Sequence, residues 1–272
     1  MTAPRSCSLG TALITGASSG IGATYAERLA RRGYDLLLVA RDQNRLAALA
    51  ERLSAETGVR ATVLAADLTL PADRLRVEHA LRDDAGISLL LNNAGMAVNG
   101  SLVDADIDAV ETMISLNVTA PTRLAAAAAK AFSARGTGTI INVASVLALA
   151  PEMFSGTYSG TKAYVLNLSL SMQQQLAPLG VRVQAVLPGA TRTEIWDRSG
   201  ASVDALPAEM LMEVGDLVDA ALAGLDMGET VTIPPLASLE GWSRMDTARL
   251  ALAPQLSVRL PAERYRVSNE VA

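Results

Sequence analysis

The sequence predicts an α/β fold: a single-domain, doubly wound parallel sheet of about seven strands with helices on both faces. Short apolar runs typical of buried strands alternate along the chain with longer amphipathic helical patterns, and this alternation is typical of parallel sheets. The 272 residues suffice for one complete α/β core and are few for two. We therefore treat residues 1–272 as one domain.

The composition favours a cytoplasmic, soluble protein. Half of the residues are hydrophobic and 3% are aromatic, so Ala, Leu and Val must fill the core. The net charge is -5 and the sequence contains no basic patch, which argues against a nucleic-acid partner. The single Cys7 cannot form an internal disulfide. We find neither an apolar leader nor a run long enough to span a membrane, so no membrane partner is expected.

The first predicted strand, Thr11–Thr15, runs through a glycine-rich turn into a helix predicted over Ala23–Arg32. Glycine lets a pyrophosphate approach the backbone, and the free N–H groups of a helix's first turn attract its charge. The spacing, G-x-x-x-G-x-G, by itself also suits a purely structural turn. The interpretation we adopt is a Rossmann-type dinucleotide site with contacts from Gly16, Ser18, Ser19, Gly20, Ile21 and Gly22.

The second predicted strand, Tyr34–Ala40, is followed by Arg41. In this fold an acid near the end of the second strand accepts the ribose hydroxyls of NAD, whereas an arginine accommodates the 2′-phosphate of NADP. Arg41 therefore predicts NADP as the cofactor in preference to NAD. Asp42 competes with this interpretation, and Arg41 also suits a simple surface position.

The third predicted strand, Val59–Ala66, is followed by Asp67 and Leu68, and residues just beyond such strands line the cofactor crevice. Asp67 is expected either to accept a hydrogen bond from the adenine amino group or to cap the helix region at Pro71. A preceding amphipathic helix is predicted over Asp42–Thr57, with its inward face formed by Leu46, Leu49 and Leu53.

The fourth predicted strand, Ile87–Leu91, ends in Asn93, Ala94 and Gly95. These small or amide residues suit backbone contact with the cofactor, or simply a turn. The only histidine, His79, lies in a charged helical stretch and is predicted to be solvated, which excludes a Ser-His-Asp hydrolase.

A long helix is predicted over Asp106–Ala134, and Pro121 lies inside it. Proline has no N–H, so the carbonyl of Asn117, four residues earlier, is left without its helical partner and the helix bends. An ordered water is the expected partner of that carbonyl. The run Ala125–Ala129 suits a subunit interface or simply reflects helix propensity.

The fifth predicted strand, Thr139–Ala144, is followed by Ser145. In the helix predicted over Ser155–Pro178, Tyr158 and Lys162 are four residues apart and share a face. A cation near a phenol favours the phenolate, so this pair suits proton transfer. A sixth strand, predicted over Val181–Leu187, is followed by Pro188, Gly189, Thr191 and Thr193.

Together these motifs resemble the short-chain dehydrogenase/reductase family over about residues 9–233. TGASSGIG (Thr15–Gly22) is similar to its cofactor turn, NNAG (Asn92–Gly95) to its fourth-strand motif, and YSGTK (Tyr158–Lys162) to its Y-x-x-x-K. PGATRT (Pro188–Thr193) is similar to its segment over the nicotinamide, although Thr191 stands where Val or Ile is usual.

The resemblance implies an NADP-dependent oxidoreductase that interconverts a ketone or aldehyde and its alcohol without a metal. Tyr158 would be the general acid or base, Lys162 would lower its pKa and hold the nicotinamide ribose, and Ser145 would bind the carbonyl. Water on the Asn117 carbonyl would extend a proton path from Lys162. A homo-oligomer, dimer or tetramer, is implied as well. The alternative is a non-catalytic NADP-binding regulator on the same scaffold.

The remaining segments are predicted with less chemical detail. Residues 193–210 form the expected substrate lid, an irregular loop containing Trp196. A helix over Asp216–Leu225 and an edge strand over Thr230–Pro234 follow. Residues 235–272 form a C-terminal extension with one short helix, which is expected to cover either the cleft or a neighbouring subunit. An apolar pocket, or equally core, is suggested by Met96, Val98, Leu147, Met153 and Trp196.

Overall fold

The computed structural model of the chain describes residues 9–198 and 206–265. Cys7, residues 199–205 of the predicted lid and residues 266–272 of the predicted extension lie outside the described residues. The chain divides into two compact units, Met1–Pro234 and Pro235–Ala272.

In the described part of the first unit, seven parallel strands form one sheet in the order β3-β2-β1-β4-β5-β6-β7. This confirms the predicted doubly wound parallel sheet. The order reverses between β1 and β4, and ligands bind such folds at that reversal, beyond the carboxyl ends of the strands. The strands are β1 (Thr11–Thr15), β2 (Asp35–Ala40), β3 (Ala61–Ala65), β4 (Ile87–Asn92), β5 (Gly138–Val143), β6 (Val181–Val186) and β7 (Val231–Thr232).

Helices cover both faces of the sheet, as predicted. One core packs α1, α2 and α8 against the sheet, and a second core packs α3, α5 and α6 against the opposite face. The helices of this unit are α1 (Gly20–Arg31), α2 (Gln43–Thr57), α3 (Pro71–Asp83), α4 (Ile107–Ile114), α5 (Ala120–Arg135), α6 (Gly156–Leu176), α7 (Ile195–Arg198) and α8 (Val214–Asp226).

The helix predicted over Asp106–Ala134 is interrupted rather than simply bent. A π-helical turn, Ser115–Thr119, joins α4 to α5, and the N–H of Ala120 donates to the Ser115 carbonyl five residues earlier. Pro121, in the first turn of α5, has no N–H to continue the α-helical ladder. The wider turn accommodates that missing donor.

Two further predictions need correction at their boundaries. The last strand spans only Val231–Thr232, because Pro234 cannot donate to a sheet ladder. Part of the loop predicted after Thr193 is helical: Ile195–Arg198 form a single turn.

A buried chain of side chains fixes α6 to the sheet. Asn92 Nδ2 donates to Asn142 Oδ1 over 2.9 Å, Asn142 Nδ2 donates to Ser169 Oγ over 2.9 Å, and Ser169 donates to the Val165 carbonyl. Because β4, β5 and α6 are joined in this way, the helix that carries Tyr158 is held against the strand that leads to Ser145.

The second unit contains α9 (Glu240–Ala251), which confirms the predicted short helix. None of its residues is buried, and Met245 and Leu250 are exposed. In the described residues of the whole chain, no helix is long and apolar enough to cross a membrane.

Candidate active site

The glycine-rich turn is fastened to the end of β4 by the Thr15 hydroxyl. Thr15 Oγ1 accepts from the N–H groups of Asn93 and Ala94 over 3.0 and 3.1 Å, and it donates to the Leu91 carbonyl. The Asn93 amide donates in return to the carbonyls of Thr15 and Gly16. The Asn93 side chain therefore shapes the turn, and this role of Thr15 was not foreseen from the sequence.

Two of the turn's glycines are required by close packing. A Cβ on Gly22 would lie 2.3 Å from the Gly16 carbonyl oxygen, and a Cβ on Gly16 would lie 2.7 Å from Asn93 Nδ2. Gly16 also has a φ of +67, in the region that favours glycine. The turn can therefore hold its shape only with glycine at these positions.

The N-terminus of α1 suits an anionic ligand. Ser19 is its N-cap residue, but its side chain makes no capping hydrogen bond, and the first turn holds no acidic residue. The N–H groups at Gly20, Ile21 and Gly22 thus remain available for a pyrophosphate beside Ser18. Thr193 lies against this turn, since a Cβ on Gly20 would be 3.3 Å from its methyl carbon.

The end of β2 presents an available arginine. Arg41 is exposed, and its guanidinium forms no ion pair within the described residues. Asp42 is instead the N-cap of α2, and its Oδ1 accepts from the Arg45 N–H over 3.0 Å. The acid that competed with Arg41 in the sequence is thus engaged in capping a helix.

The Asp67 side chain holds a local turn. Its Oδ1 accepts from both the N–H and the hydroxyl of Thr69, over 2.9 and 2.7 Å. The N-cap of α3 is Leu70, without a side-chain cap, so the capping alternative is not observed. Leu68 is buried, and Arg74 donates to the carbonyls of Leu68 and Thr69.

The Asn117 side chain is a clamp at the centre of the site. It is 2% exposed. Its Oδ1 accepts from the Met96 N–H over 2.9 Å, and its Nδ2 donates to the Met96 carbonyl over 2.8 Å and to Thr161 Oγ1 over 3.1 Å. Thr161 donates in turn to the Tyr158 carbonyl. Asn117 therefore ties the π-helical turn to the loop after β4 and to α6.

Ser145 and Tyr158 meet directly. Ser145 begins a short turn beyond β5, and its Oγ accepts from the Leu147 N–H over 3.2 Å. Burial raises the pKa of the Tyr158 phenol to about 12, and the hydrogen bond to Ser145 opposes that rise. The pKa of this phenol is thus shifted upwards, contrary to the direction predicted from the neighbouring Lys162, because loss of hydration dominates.

Lys162 is buried beside the end of β5. Its Nζ donates to the Val143 carbonyl over 3.1 Å, and burial lowers its pKa to about 8. A Cβ on Gly95 would lie 3.5 Å from this Nζ and 3.2 Å from Asn117 Oδ1. The glycine thus allows the chain after β4 to pass close to both side chains.

The segment after β6 closes the site on its other side. Val146 N–H donates to the Pro188 carbonyl over 2.9 Å, and Thr191 Oγ1 donates to the Gly189 carbonyl over 3.0 Å. Trp196 Nε1 donates to the Thr191 carbonyl over 2.8 Å. Trp196 is therefore tied to the segment that was predicted to lie over the nicotinamide.

An apolar wall surrounds the Tyr158 ring. Phe154 meets that ring edge-on, with the ring centres 5.7 Å apart at 79°. Met153, which the sequence also suggested, is 62% exposed and does not belong to the wall. The wall consists of Met96, Ala97, Val98, Ala105, Val110, Met113, Leu147 and Phe154.

Sequence reasoning missed Thr15, Phe154 and Thr161. Thr15 was placed at the end of the first strand and at the start of the cofactor-turn motif, but no role was predicted for its hydroxyl group. Thr161 lies inside the Y-x-x-x-K spacing, so its position beside Tyr158 was visible. In the described residues, no group of three or more His, Cys, Asp or Glu side chains can hold a metal ion.

The comparisons with known proteins agree with this geometry. The sequence model described as short chain dehydrogenase matches residues 10–204. The chain is 55% identical to a Sphingobium yanoikuyae short-chain dehydrogenase solved in complex with NADPH, with a TM-score of 0.92 over 95% of this chain and 100% of that one. It is 34% identical to an uncharacterised oxidoreductase of Bacillus subtilis over 77% of this chain and 88% of the relative.

A second solved structure, the bulky-bulky ketone specific alcohol dehydrogenase of Comamonas testosteroni, is 49% identical. Its TM-score is 0.87, over 94% of this chain and 98% of that one. The chain belongs to the short-chain dehydrogenase/reductase family. It is an oxidoreductase.

Proposed function

We propose that this protein is an NADP(H)-dependent reductase of ketones, acting in reverse on secondary alcohols, with Tyr158 as the proton donor. The observation that carries the proposal is the meeting of Ser145, Tyr158 and Lys162 at the carboxyl ends of the strands, beside the glycine-rich turn. A non-catalytic regulator would not need this set, and the described site retains all three residues.

Tyr158 is suited to act as an acid. Its phenol is neutral at pH 7, because its pKa lies near 12, so it carries the proton that a carbonyl oxygen needs on reduction. Ser145, hydrogen-bonded to the phenol, lies where it can donate to the same carbonyl oxygen. Bound NADPH would supply the hydride.

Lys162 is suited to stabilise the charge that Tyr158 acquires. When the phenol gives up its proton, the ammonium one turn away favours the phenolate. One N–H of Lys162 is used by the Val143 carbonyl, and the others are free to bond the nicotinamide ribose and a water. The Asn117 carbonyl, facing the missing N–H of Pro121, is the proposed acceptor for such a water.

The cofactor proposed is NADP. Arg41 is available for a 2′-phosphate, whereas Asp42 is engaged as a helix cap. The first turn of α1 would hold the pyrophosphate, and Asp67, Leu68, Asn93, Ala94 and Gly95 would border the rest of the nucleotide, with Pro188, Gly189, Thr191 and Thr193 along its nicotinamide end. The NADPH found in the Sphingobium relative supports this choice.

The substrate class proposed is an uncharged ketone with large apolar substituents. The wall around Tyr158 is built from apolar side chains, which leave a charged substrate without a partner. The specificity named for the Comamonas relative supports the same class.

The test is NADPH oxidation across a panel of ketones that differ in the size of both substituents. Wild type should turn over the bulky members, and Tyr158→Phe should lose about 10²- to 10⁴-fold in kcat, the contribution of a positioned general acid. The NADPH dissociation constant, measured by nicotinamide fluorescence, should be unchanged. Equal turnover by the two proteins would contradict the assignment.

A further inference from the structure

An ion pair joins the start of α2, the helix that follows β2, to the start of the predicted lid. Arg45, in the first turn of α2, places Nη1 3.1 Å from both carboxylate oxygens of Glu194. The two residues are 149 positions apart in the chain. Their side chains are 51% and 44% exposed, so solvent and ligands reach both.

The Arg45–Glu194 pair lies close to Arg41, the residue proposed to bind the 2′-phosphate of NADP. Arg45 follows Arg41 by four residues, and Asp42, the N-cap residue between them, accepts a hydrogen bond from the Arg45 N–H. Glu194 follows Thr193, whose methyl group lies against Gly20 of the glycine-rich turn. Three segments of the chain thus converge: the glycine-rich turn, the first turn of α2 and the segment after β6.

The Arg45–Glu194 pair is well suited to exchange. An exposed ion pair contributes little to stability, so little free energy is lost when it opens. A phosphate dianion offers a guanidinium stronger, charge-assisted hydrogen bonds than a carboxylate does. Asp42 Oδ2, 3.5 Å from Arg45 Nε, keeps the arginine near the end of β2 when Glu194 is displaced.

We propose that Arg45 is a second specificity-determining residue for the 2′-phosphate of NADP, and that Glu194 is the internal anion which occupies Arg45 until the cofactor arrives. This role depends on the proposed function in one respect, that the cofactor is NADP. Glu194 lowers the affinity for NADP because it competes with the 2′-phosphate for Arg45. Binding of the phosphate therefore releases Glu194, which lies at the start of the predicted lid.

The experiment measures binding without substrate, by calorimetry on the full chain. The probes are adenosine 2′,5′-bisphosphate, which carries the 2′-phosphate, and 5′-AMP, which lacks it. Arg45→Met should raise the dissociation constant of the bisphosphate about five- to tenfold. Glu194→Gln should lower it about two- to fivefold, which is the change in binding expected when one exposed ion pair no longer has to be broken. Neither variant should change 5′-AMP binding by more than about twofold.

Arg52→Met is the matched control. Arg52 lies on the same helix, is 45% exposed and pairs with Glu27 and Glu56, away from the cofactor. It should leave both probes unchanged. The proposal is overturned if Arg45→Met behaves like Arg52→Met, if Glu194→Gln fails to tighten the bisphosphate, or if either variant shifts 5′-AMP equally. A failure of ketone reduction would leave these binding constants intact, so the two proposals fail separately.

Discussion

The Nζ atom of Lys162 lies 5.7 Å from the centre of the Tyr158 ring, and both side chains are buried. Burial moves their pKa values in opposite directions: the amine falls to about 8, and the phenol, in spite of its hydrogen bond to Ser145, rises to about 12. Near neutral pH the amine is therefore charged and the phenol protonated. This is the state in which the phenol can donate a proton and the ammonium can stabilise what remains.

Replacing Lys162 by Met should change the pH dependence of stability. The pKa of Lys162 is lowered on folding, so the unfolded chain binds more protons between pH 8 and 10.5 and wild-type stability rises over that window. Lys162→Met removes this rise. Urea unfolding measures the free energy of unfolding of both proteins at each pH. The difference, variant minus wild type, should become more negative by about 2 kcal/mol between pH 7 and about 9.5, because only wild type gains stability over that range.

The control for this measurement is Lys130→Met, since Lys130 is exposed on α5. Its free energy of unfolding should differ from wild type by the same amount at both pH values. A Lys162→Met curve parallel to that of wild type would mean that the amine is hydrated in the folded protein.

Replacing Asn117 by Ala should lower both the stability of the protein and its kcat. The change removes three hydrogen bonds and leaves the partly buried Met96 N–H without this partner. We expect a loss of about 2–4 kcal/mol in the free energy of unfolding and a fall in kcat, because α6 is no longer clamped. Thr161→Val, which removes one of these partners, should cost about 1 kcal/mol. Equal stability of Asn117→Ala and wild type would refute the clamp.

Two glycine substitutions should differ in their effect: one should abolish NADPH binding and the other should raise the stability of the protein. Gly22→Ala places a Cβ 2.3 Å from the Gly16 carbonyl, so the turn must distort and NADPH binding should be lost. Gly160 is exposed on α6, and a Cβ at this position would have no neighbouring atom within 4 Å. Gly160→Ala should therefore stabilise the protein by about 0.5–1 kcal/mol. Thermal unfolding and fluorescence titration with NADPH measure both. Tight NADPH binding by Gly22→Ala would contradict the conclusion that the glycine-rich turn has no room for a side chain at position 22.

Replacing Arg41 by Ala should shift cofactor choice. The KM for NADPH should rise about tenfold or more, while that for NADH stays within about twofold, because only NADPH carries the 2′-phosphate. Steady-state kinetics with each cofactor on one ketone checks this. A wild-type preference for NADH would contradict the choice of NADP.

Much of the fold followed from the sequence because its signals are local. Apolar runs such as Thr11–Thr15 are strands at the predicted positions, and Asp42 and Gly58 delimit α2 through a cap and a left-handed turn. His79 is exposed, as its charged surroundings predicted. Ser145, Tyr158 and Lys162 also lie together, because Ser145 follows β5 and the other two share the face of α6 that packs against the end of that strand.

The remaining features depend on contacts between distant segments. The pKa of Tyr158 depends on how completely the fold buries it, which spacing to Lys162 does not reveal. The Asn93 amide turned out to brace the glycine-rich turn, a role decided by a hydrogen bond to a residue 78 positions away. Pro121 signalled an irregularity, but its form, a π-helical turn, depends on how Asn117 and Pro121 pack.

A π-helical turn is an α-helix carrying one surplus residue. Five residues wound in this way turn through about the same angle as four residues of an α-helix, so the surplus residue widens the turn without rotating α5 relative to α4. Deleting one residue within Ser115–Thr119 would therefore close the turn into a regular helix and leave the apolar stripe of α5 on the sheet. The same deletion would alter the backbone from which the Asn117 amide reaches Met96 and Thr161, so the shortened chain should fold but lose activity.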